Sequence, residues 1–338
     1  MQIIIIVENS IILRLILFAE DLRELEDLKF KMTPFKEMLE LSASRRAAQY
    51  TVVPVIRRQE GGRELWQHAP PRVQIEGLYY AYPGMSSMQQ HSLYNISLTI
   101  PAGGYCLGIV GPSGSGKSTF FRVLLGLEPL ESGASNSGKI FLDGVDVTYC
   151  DRVPCFSMVG QENDLFRSLT LVDNIRYGTS RQQQLPDAHS YAENERNALL
   201  NACKDAQLEP LLSRVQGGLN AAVGPRGRLL SGGERQRVCL ARALYREELV
   251  GGILLLDEIT AALDPKTEDL VIRALNSRVE KGSTAILIAH RLSTVQKCDN
   301  IIVLKDGQIL QQGSHGTLIK AGGWYADSWK VQQQQKLK

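Results

Sequence analysis

The chain has 338 residues, of which 43% are hydrophobic and 22% are charged, a balance typical of one large globular domain or two smaller ones. The formal net charge of +2 provides no broad positive potential, so we expect no nucleic-acid partner. No two of the six cysteines form a Cys-x-x-Cys pair, and no histidine lies at metal-ligand spacing from them. This pattern favours reduced thiols over a zinc site.

Residues 1–49 begin with an apolar stretch and continue as an amphipathic helical pattern. Glu8, Asn9, Ser10 and Arg14 interrupt the apolar part. A membrane span needs about 20 predominantly apolar residues, and this stretch is too short and too broken. Two interpretations remain: a buried or interfacial amphipathic helix, or the end of a membrane helix whose remainder lies upstream. Residues 50–72 contain several prolines and glycines and are predicted to form a linker.

From residue 73 onward, short apolar runs alternate with helical patterns, which predicts an α/β domain with a mainly parallel sheet over 73–332. A strand at 107–110 leads into a glycine-rich loop, and a helix is expected at 120–127. The loop matches the P-loop pattern and consists of Gly111, Pro112, Ser113, Gly114, Ser115, Gly116, Lys117, Ser118 and Thr119. Its backbone N–H groups can surround phosphate oxygens, with Lys117 on the β- and γ-phosphates and the Ser118 hydroxyl on Mg²⁺. We therefore predict nucleotide binding.

A helix-rich segment follows at about 165–243, and we interpret it as a helical subdomain inserted into the sheet domain. The continuous apolar run 252–256 ends at Asp257 and Glu258 and is typical of a buried parallel strand. Asp257 can hold Mg²⁺ there, and Glu258 can orient an attacking water. Further strands are expected at 284–289 and 301–304. The polar tail at 333–338 is expected to fray.

The run Leu-Ser-Gly-Gly-Glu-Arg-Gln-Arg, which begins at Leu230, makes a family resemblance specific. Together with the P-loop and the acidic pair, it resembles the ATP-binding cassette (ABC) proteins, and the matching region extends from about residue 73 to residue 329. The resemblance implies a P-loop NTPase fold with a mainly parallel sheet, an N-terminal antiparallel β subdomain and an inserted helical subdomain. It also implies ATP and Mg²⁺ as ligands.

The resemblance further implies roles for single residues. Tyr82 is similar to the aromatic residue that stacks on adenine, and Gln161 to the glutamine that contacts Mg²⁺ and water. His290 looks like the histidine that touches the γ-phosphate, so that Glu258, His290 and Gln161 would be the catalytic set. Ser118, Gln161 and Asp257 would form the Mg²⁺ site.

In ABC ATPases the Leu-Ser-Gly-Gly segment caps the nucleotide of a second cassette. By this resemblance Ser231, Gly232, Gly233 and Glu234 would serve the partner's site, and Asp264 would lie in the loop that crosses the dimer interface. The segment acts as a helix N-terminus whose backbone amides point at an anion. The resemblance therefore implies a second cassette, identical or different, as an obligatory partner.

Residues 223–227 resemble an element typical of ABC exporters, although Pro225 stands where glutamate is usual and Ala261 where serine is usual. We therefore expect this chain to be the ATP-hydrolysing domain of an exporter and to be a fragment of a longer chain. Membrane domains would lie on that longer chain or on a separate subunit. The protein would be membrane-associated, with the cassette facing the cytosol or an organelle matrix. The alternatives are a soluble ABC ATPase in translation or DNA maintenance and a regulatory cassette that binds ATP without hydrolysing it.

Overall fold

The structure is a computed structural model that describes residues 70–82, 92–128, 130, 138–161, 164–166, 168–179, 188–224 and 229–336, with the backbone alone at 188–192 and 335–336. The segment expected at 1–49, most of the expected linker, and Pro225 lie outside these ranges.

Strands and helices alternate along the described chain. The strands are β1 Val73–Tyr80, β2 Leu93–Ile100, β3 Tyr105–Val110, β4 Lys139–Leu142, β5 Val145–Asp146, β6 Phe156–Val159, β7 Ile253–Asp257, β8 Thr284–Ile288, β9 Asn300–Lys305 and β10 Gln308–Gly313. The helices are α1 Lys117–Leu125, α2 Leu171–Arg176, α3 Ala188–Asp205, α4 Glu209–Arg214, α5 Gly232–Val250, α6 Pro265–Glu280, α7 Leu292–Val295, α8 His315–Ala321 and α9 Trp324–Lys336.

The larger sheet has six strands in the order β10-β9-β3-β8-β7-β6. Only β10 runs antiparallel to its neighbour, which confirms the predicted mainly parallel sheet. All five residues of β7 are buried. Because successive side chains of a strand point to opposite faces, Ile253 and Leu255 enter one core, and Leu254 and Leu256 enter the other. This explains why β7 is a continuous apolar run in the sequence.

The smaller sheet is antiparallel, in the order β2-β1-β4-β5, and confirms the predicted antiparallel part of the fold. Its apolar face shares a core with α1 and with one face of the larger sheet. Phe120 and Phe121 of α1 are almost completely buried in that core. The smaller sheet therefore packs against the helix that follows the glycine-rich loop.

The opposite face of the larger sheet is covered by a second core that includes residues of α3, α5 and α6. The guanidinium of Arg278 on α6 links these helices. It donates to Asp205 at 2.6 Å, Glu247 at 2.9 Å and Glu248 at 2.8 Å. Although burial opposes the charge, these carboxylates raise the pKa of Arg278, so the guanidinium stays protonated.

Helix α1 ends at Leu125, two residues before the end that the sequence predicts. Gly126 adopts φ +80°, and its N–H donates to the Val123 carbonyl at 3.0 Å, which terminates the helix. The buried Arg152 guanidinium satisfies the last carbonyls of α1, at 2.9 Å to Leu124 and 2.8 Å to Val123. A buried arginine thus takes the place of water at this helix end.

Helix α9 continues through Lys336 and so includes the first residues of the tail at 333–338 that is expected to fray. Gln332, just before this segment, anchors the helix to the loop after β8. Its amide donates to the His290 carbonyl at 2.9 Å and accepts from the Leu292 N–H at 2.8 Å. These two hydrogen bonds hold the polar end of the chain on the folded domain.

Candidate active site

The glycine-rich loop lies between the carboxyl end of β3 and the first residue of α1. A Cβ at Gly111 would lie 2.0 Å from the Leu304 carbonyl oxygen, and one at Gly116 would lie 2.4 Å from the Ser92 carbonyl oxygen. Gly116 also has φ +97°, so a larger residue would be strained as well as crowded. The two glycines let the loop close around the amino end of a helix, the position at which anions bind.

Lys117 begins α1, and its side chain folds back under the loop. The ammonium donates to the Gly111 carbonyl at 3.0 Å and to the Pro112 carbonyl at 2.8 Å. Burial lowers the pKa of Lys117, while the carboxylates of Glu258 and Asp257 oppose that shift. The positive charge is therefore held inside the loop by backbone oxygens and two nearby acids.

Asp257 is the last residue of β7 and is almost fully buried. Burial raises its pKa, and a hydrogen bond with the Ser118 side chain partly counteracts the shift. Its Oδ1 atom is buried without a hydrogen-bond partner among the described residues. An unpaired carboxylate oxygen beside a hydroxyl is costly unless a cation or water completes it. Hard oxygen ligands of this kind suit Mg²⁺, so these residues fit the ion that the sequence predicts.

Glu258 follows Asp257 and adopts φ +53°, a left-handed conformation that is uncommon for a residue other than glycine. Its Oε1 atom lies 2.6 Å from His290 Nε2, and its Oε2 atom accepts from Gln161 Nε2 at 3.4 Å. Gln161 and His290 follow β6 and β8, the two strands that flank β7. The structure therefore brings the three predicted catalytic side chains together at the carboxyl edge of the parallel strands, where α/β proteins bind ligands.

Tyr82 lies close to α1. Its hydroxyl is 3.3 Å from the Thr119 hydroxyl, and its ring makes an edge-to-face contact with Tyr80, with 5.1 Å between the ring centroids. This contact places an aromatic ring beside the helix that the glycine-rich loop begins.

The Leu-Ser-Gly-Gly run forms the amino end of α5, with Ser231 as its N-cap. The Ser231 hydroxyl accepts from the Glu234 N–H at 3.2 Å, and a Glu234 carboxylate oxygen accepts from the Ser231 N–H at 2.7 Å, which completes a capping box. Burial opposes ionisation of Glu234, but hydrogen bonds from Ser231 and Arg214 outweigh it and lower the pKa of Glu234. Ser231 and Gly232 are exposed, so this helix end faces outward.

Asp264 caps the amino end of α6. Its carboxylate accepts from the Lys266 N–H at 3.1 Å and the Thr267 N–H at 3.0 Å, and the hydrogen bonds from the Thr267 side chain and backbone lower its pKa. The residue therefore has a structural function within its own chain, whatever it contacts in a partner.

Two further glutamines contact the backbone of this site: Gln236, which lies within the run that begins at Leu230 but has no predicted role there, and Gln332. Gln236 on α5 bonds the Glu258 carbonyl, and Gln332 bonds the backbone on both sides of Arg291. Each acts through side-chain bonds to a loop that is distant in the sequence. Neither the run that contains Gln236 nor the row of four glutamines that begins at Gln332 indicates such a contact.

Fold and site together define a P-loop nucleotide-binding domain. The chain belongs to the ABC transporter family, since a family model described as "ABC transporter" matches residues 93–261. Proteins of this family are ATPases.

Similar proteins include an ABC transporter, a flippase and an ABC exporter. ABC transporter B family member 6 of Dictyostelium discoideum is 37% identical over 270 residues, which cover 78% of this chain and 36% of that protein. The ATP-dependent lipid A-core flippase of Escherichia coli K12 is 33% identical over 286 residues, which cover 84% of this chain and 45% of the flippase. The structure of a bacterial Atm1-family ABC exporter with ATP bound superposes with a TM-score of 0.64 at 34% identity, over 78% of this chain and 42% of the exporter.

The chain thus spans less than half the length of each of these relatives. Within the part of the chain that the structure describes, no helix is both long and apolar enough to cross a membrane.

Proposed function

We propose that this chain binds and hydrolyses ATP as the nucleotide-binding domain of an ABC exporter. The observation that carries the proposal is the position of the Glu258 carboxylate, 2.6 Å from His290 Nε2 and 3.4 Å from Gln161 Nε2. It lies at the same sheet edge as the loop that encloses Lys117. A phosphate-binding loop beside a carboxylate is the arrangement that phosphoryl transfer to water requires.

In this proposal the glycine-rich loop and Lys117 hold the phosphates, and the Tyr82 ring stacks on the adenine. Ser118, Gln161 and Asp257 hold Mg²⁺, and the unpaired buried oxygen of Asp257 supports this assignment. When bound, Mg²⁺ neutralises charge on the phosphate oxygens. Glu258 orients a water in line with the γ-phosphorus, and His290, whose side chain is 54% exposed and lies 2.6 Å from the Glu258 carboxylate, contacts the γ-phosphate.

The test replaces Glu258 with glutamine, which keeps the size of the side chain and removes its charge. We expect steady-state phosphate release to fall by about 10²–10⁴-fold, the contribution of a positioned general base. ATP affinity should stay within about twofold, since the phosphate-binding residues are intact. The matched control is Glu280→Gln at the exposed end of α6. If the Glu258→Gln chain released phosphate at the wild-type rate, Glu258 would have no role in the mechanism.

We further infer that a second cassette completes the site. The exposed amino end of α5, with Ser231 and Gly232, offers an anion site directed away from its own chain. We expect light scattering to show that the Glu258→Gln chain forms a dimer when MgATP is added. The double variant Ser231→Arg/Glu258→Gln should stay monomeric under the same conditions. A Ser231→Arg chain that dimerises equally well would contradict the role of this helix end.

Closure of two such cassettes around ATP would power export through membrane domains on a longer form of the chain or on another subunit. The cassette would then be held at a membrane, facing the cytosol or an organelle matrix. Two of the similar proteins are described as a flippase and an exporter, which supports this assignment. The alternative of a soluble ABC ATPase in translation or DNA maintenance is not favoured by any of them.

A further inference from the structure

Gln236 is a buried amide that bonds two points of the loop carrying Glu258. It lies on α5 five residues after Ser231, and its side chain is 3% exposed. The Nε2 group donates to the Glu258 carbonyl at 2.9 Å, and Oε1 accepts from the Ala262 N–H at 3.2 Å. One side chain thus bonds the loop at two points four residues apart.

Gln236 holds one of the two peptides that flank Glu258 and together set the direction of its side chain. Glu258 has φ +53°, and a residue other than glycine keeps such a conformation only where its surroundings fix it. Its N–H donates to the Ile288 carbonyl at 3.0 Å, and its own carbonyl accepts from the Ala261 N–H at 3.1 Å as well as from Gln236. Gln236 is therefore the side-chain part of the set of hydrogen bonds that holds this backbone in place.

A second contact brings the same helix against the same loop. A Cβ on Gly233 would lie 2.7 Å from the Ala262 carbonyl oxygen and 3.5 Å from Leu263 Cδ2. Only a glycine permits so close an approach, so the first turn of α5 packs directly on the backbone of the loop. Gln236, in the next turn, then bonds the N–H of the same Ala262.

We propose that Gln236 is a positioning residue that holds the Glu258 carboxylate in its catalytic direction. This inference rests on the proposed hydrolysis by Glu258 and adds a group that acts on it from a different helix. Ser231 caps the amino end of the same helix, and this end would meet the partner's nucleotide. The contact of Gln236 therefore also connects that helix end to the catalytic carboxylate of its own chain. Docking of the partner's nucleotide on the amino end of α5 is thereby linked mechanically to the geometry of Glu258.

Two substitutions separate positioning from packing. Gln236→Met keeps most of the side-chain volume and removes both hydrogen bonds. Gln236→Glu keeps an acceptor for the Ala262 N–H but places a carboxylate oxygen against the Glu258 carbonyl. The control is Gln296→Met, an exposed glutamine just after α7. The assays, on the full chain, are phosphate release, ATP affinity and the thermal unfolding midpoint.

We expect both variants to lower kcat by about 10–100-fold, the effect of a small misplacement of a catalytic group, with ATP affinity within about twofold. Gln236→Glu should lose as much as Gln236→Met, although it keeps the bond to Ala262. In single-turnover assays in the Glu258→Gln background, Gln236→Met should cause no further loss, because no carboxylate remains to be positioned.

Wild-type kcat in either folded variant would overturn the inference, as would equal loss of kcat and ATP affinity or a further loss in the Glu258→Gln background. If Gln236→Met does not fold, Gln236→Glu decides the question alone. A wild-type chain that binds ATP but releases no phosphate would instead overturn the proposed function, and this inference with it. Hydrolysis that is unaffected by the Gln236 variants contradicts the positioning role only.

Discussion

The contact between Gly233 and the Ala262 carbonyl gives a quantitative prediction for Gly233→Ala. The added Cβ would lie 2.7 Å from that oxygen, whereas ordinary contacts begin at 3.4 Å, so the helix or the loop must move by about 0.7 Å. The obstacle is backbone rather than a flexible side chain, and overpacking of this kind costs about 1–3 kcal/mol. The usual gain from replacing a helical glycine by alanine, about 0.5–1 kcal/mol, offsets only part of that cost.

The neighbouring glycine provides the matched control. A Cβ on Gly232 would meet nothing within 4 Å, and neither residue has a positive φ. Gly232→Ala should therefore be neutral or stabilise the chain by up to about 1 kcal/mol. Thermal unfolding without nucleotide measures both, at about 2–4 °C per kcal/mol for a domain of this size. Equal midpoints for the two variants would refute the close packing of α5 on the loop.

Three further predictions concern the carboxyl end of α1, the Tyr82 ring and the loop after β8. Arg152→Met should destabilise the fold by about 2–4 kcal/mol in urea unfolding, because it leaves buried carbonyls at the end of α1 unpaired. Its control is Arg122→Met at an exposed ion pair, which should change the unfolding free energy by less than about 1 kcal/mol. Tyr82→Ala should weaken ATP binding in a fluorescence titration by about 1–3 kcal/mol, the value of a base–aromatic stack, while Tyr82→Phe, which loses only the 3.3 Å contact with Thr119, should bind within about twofold of wild type. Gln332→Met should lower kcat for phosphate release by about 3–10-fold with unchanged ATP affinity, because the loop with His290 loses two hydrogen bonds. The control is Gln334→Met, at an exposed glutamine of the same helix. A Gln332→Met chain with the kcat of the control would refute this role.

The parallel sheet could be predicted because its central strands are buried on both faces. A strand such as β7 is then a continuous apolar run, and the acids at its end mark the carboxyl edge of the sheet. The pairing of β1 with β4 could not be predicted in the same way, since Val73 lies opposite Leu142 and nothing local links residues so far apart. Long-range register of this kind depends on packing rather than on pattern.

The candidate site shows the same division. The chemistry of Lys117, Asp257 and Glu258 follows from residue type and from position at strand ends, and their individual roles stay predictions until they are tested. The contacts of Gln236 and Gln332 could not be predicted, although Gln236 lies within the run that begins at Leu230. Their partners are backbone groups 22 and 42 residues away, and no periodicity records such a contact. The left-handed φ of Glu258 was equally hidden, since glutamate does not mark that conformation in a sequence.

Glu234 raises an electrostatic question about the proposed role of α5. A carboxylate in the first turn stabilises its own helix, but it would repel a nucleotide phosphate that approached the same helix end. Arg214 on α4 donates to this carboxylate at 2.7 Å, and the carboxylate also receives the Ser231 N–H. The negative charge is therefore paired with a guanidinium that is itself 56% exposed at the side chain and able to face an incoming anion. Arg214 thus makes the capping glutamate compatible with a phosphate-binding surface, because the pair adds no net negative charge to it.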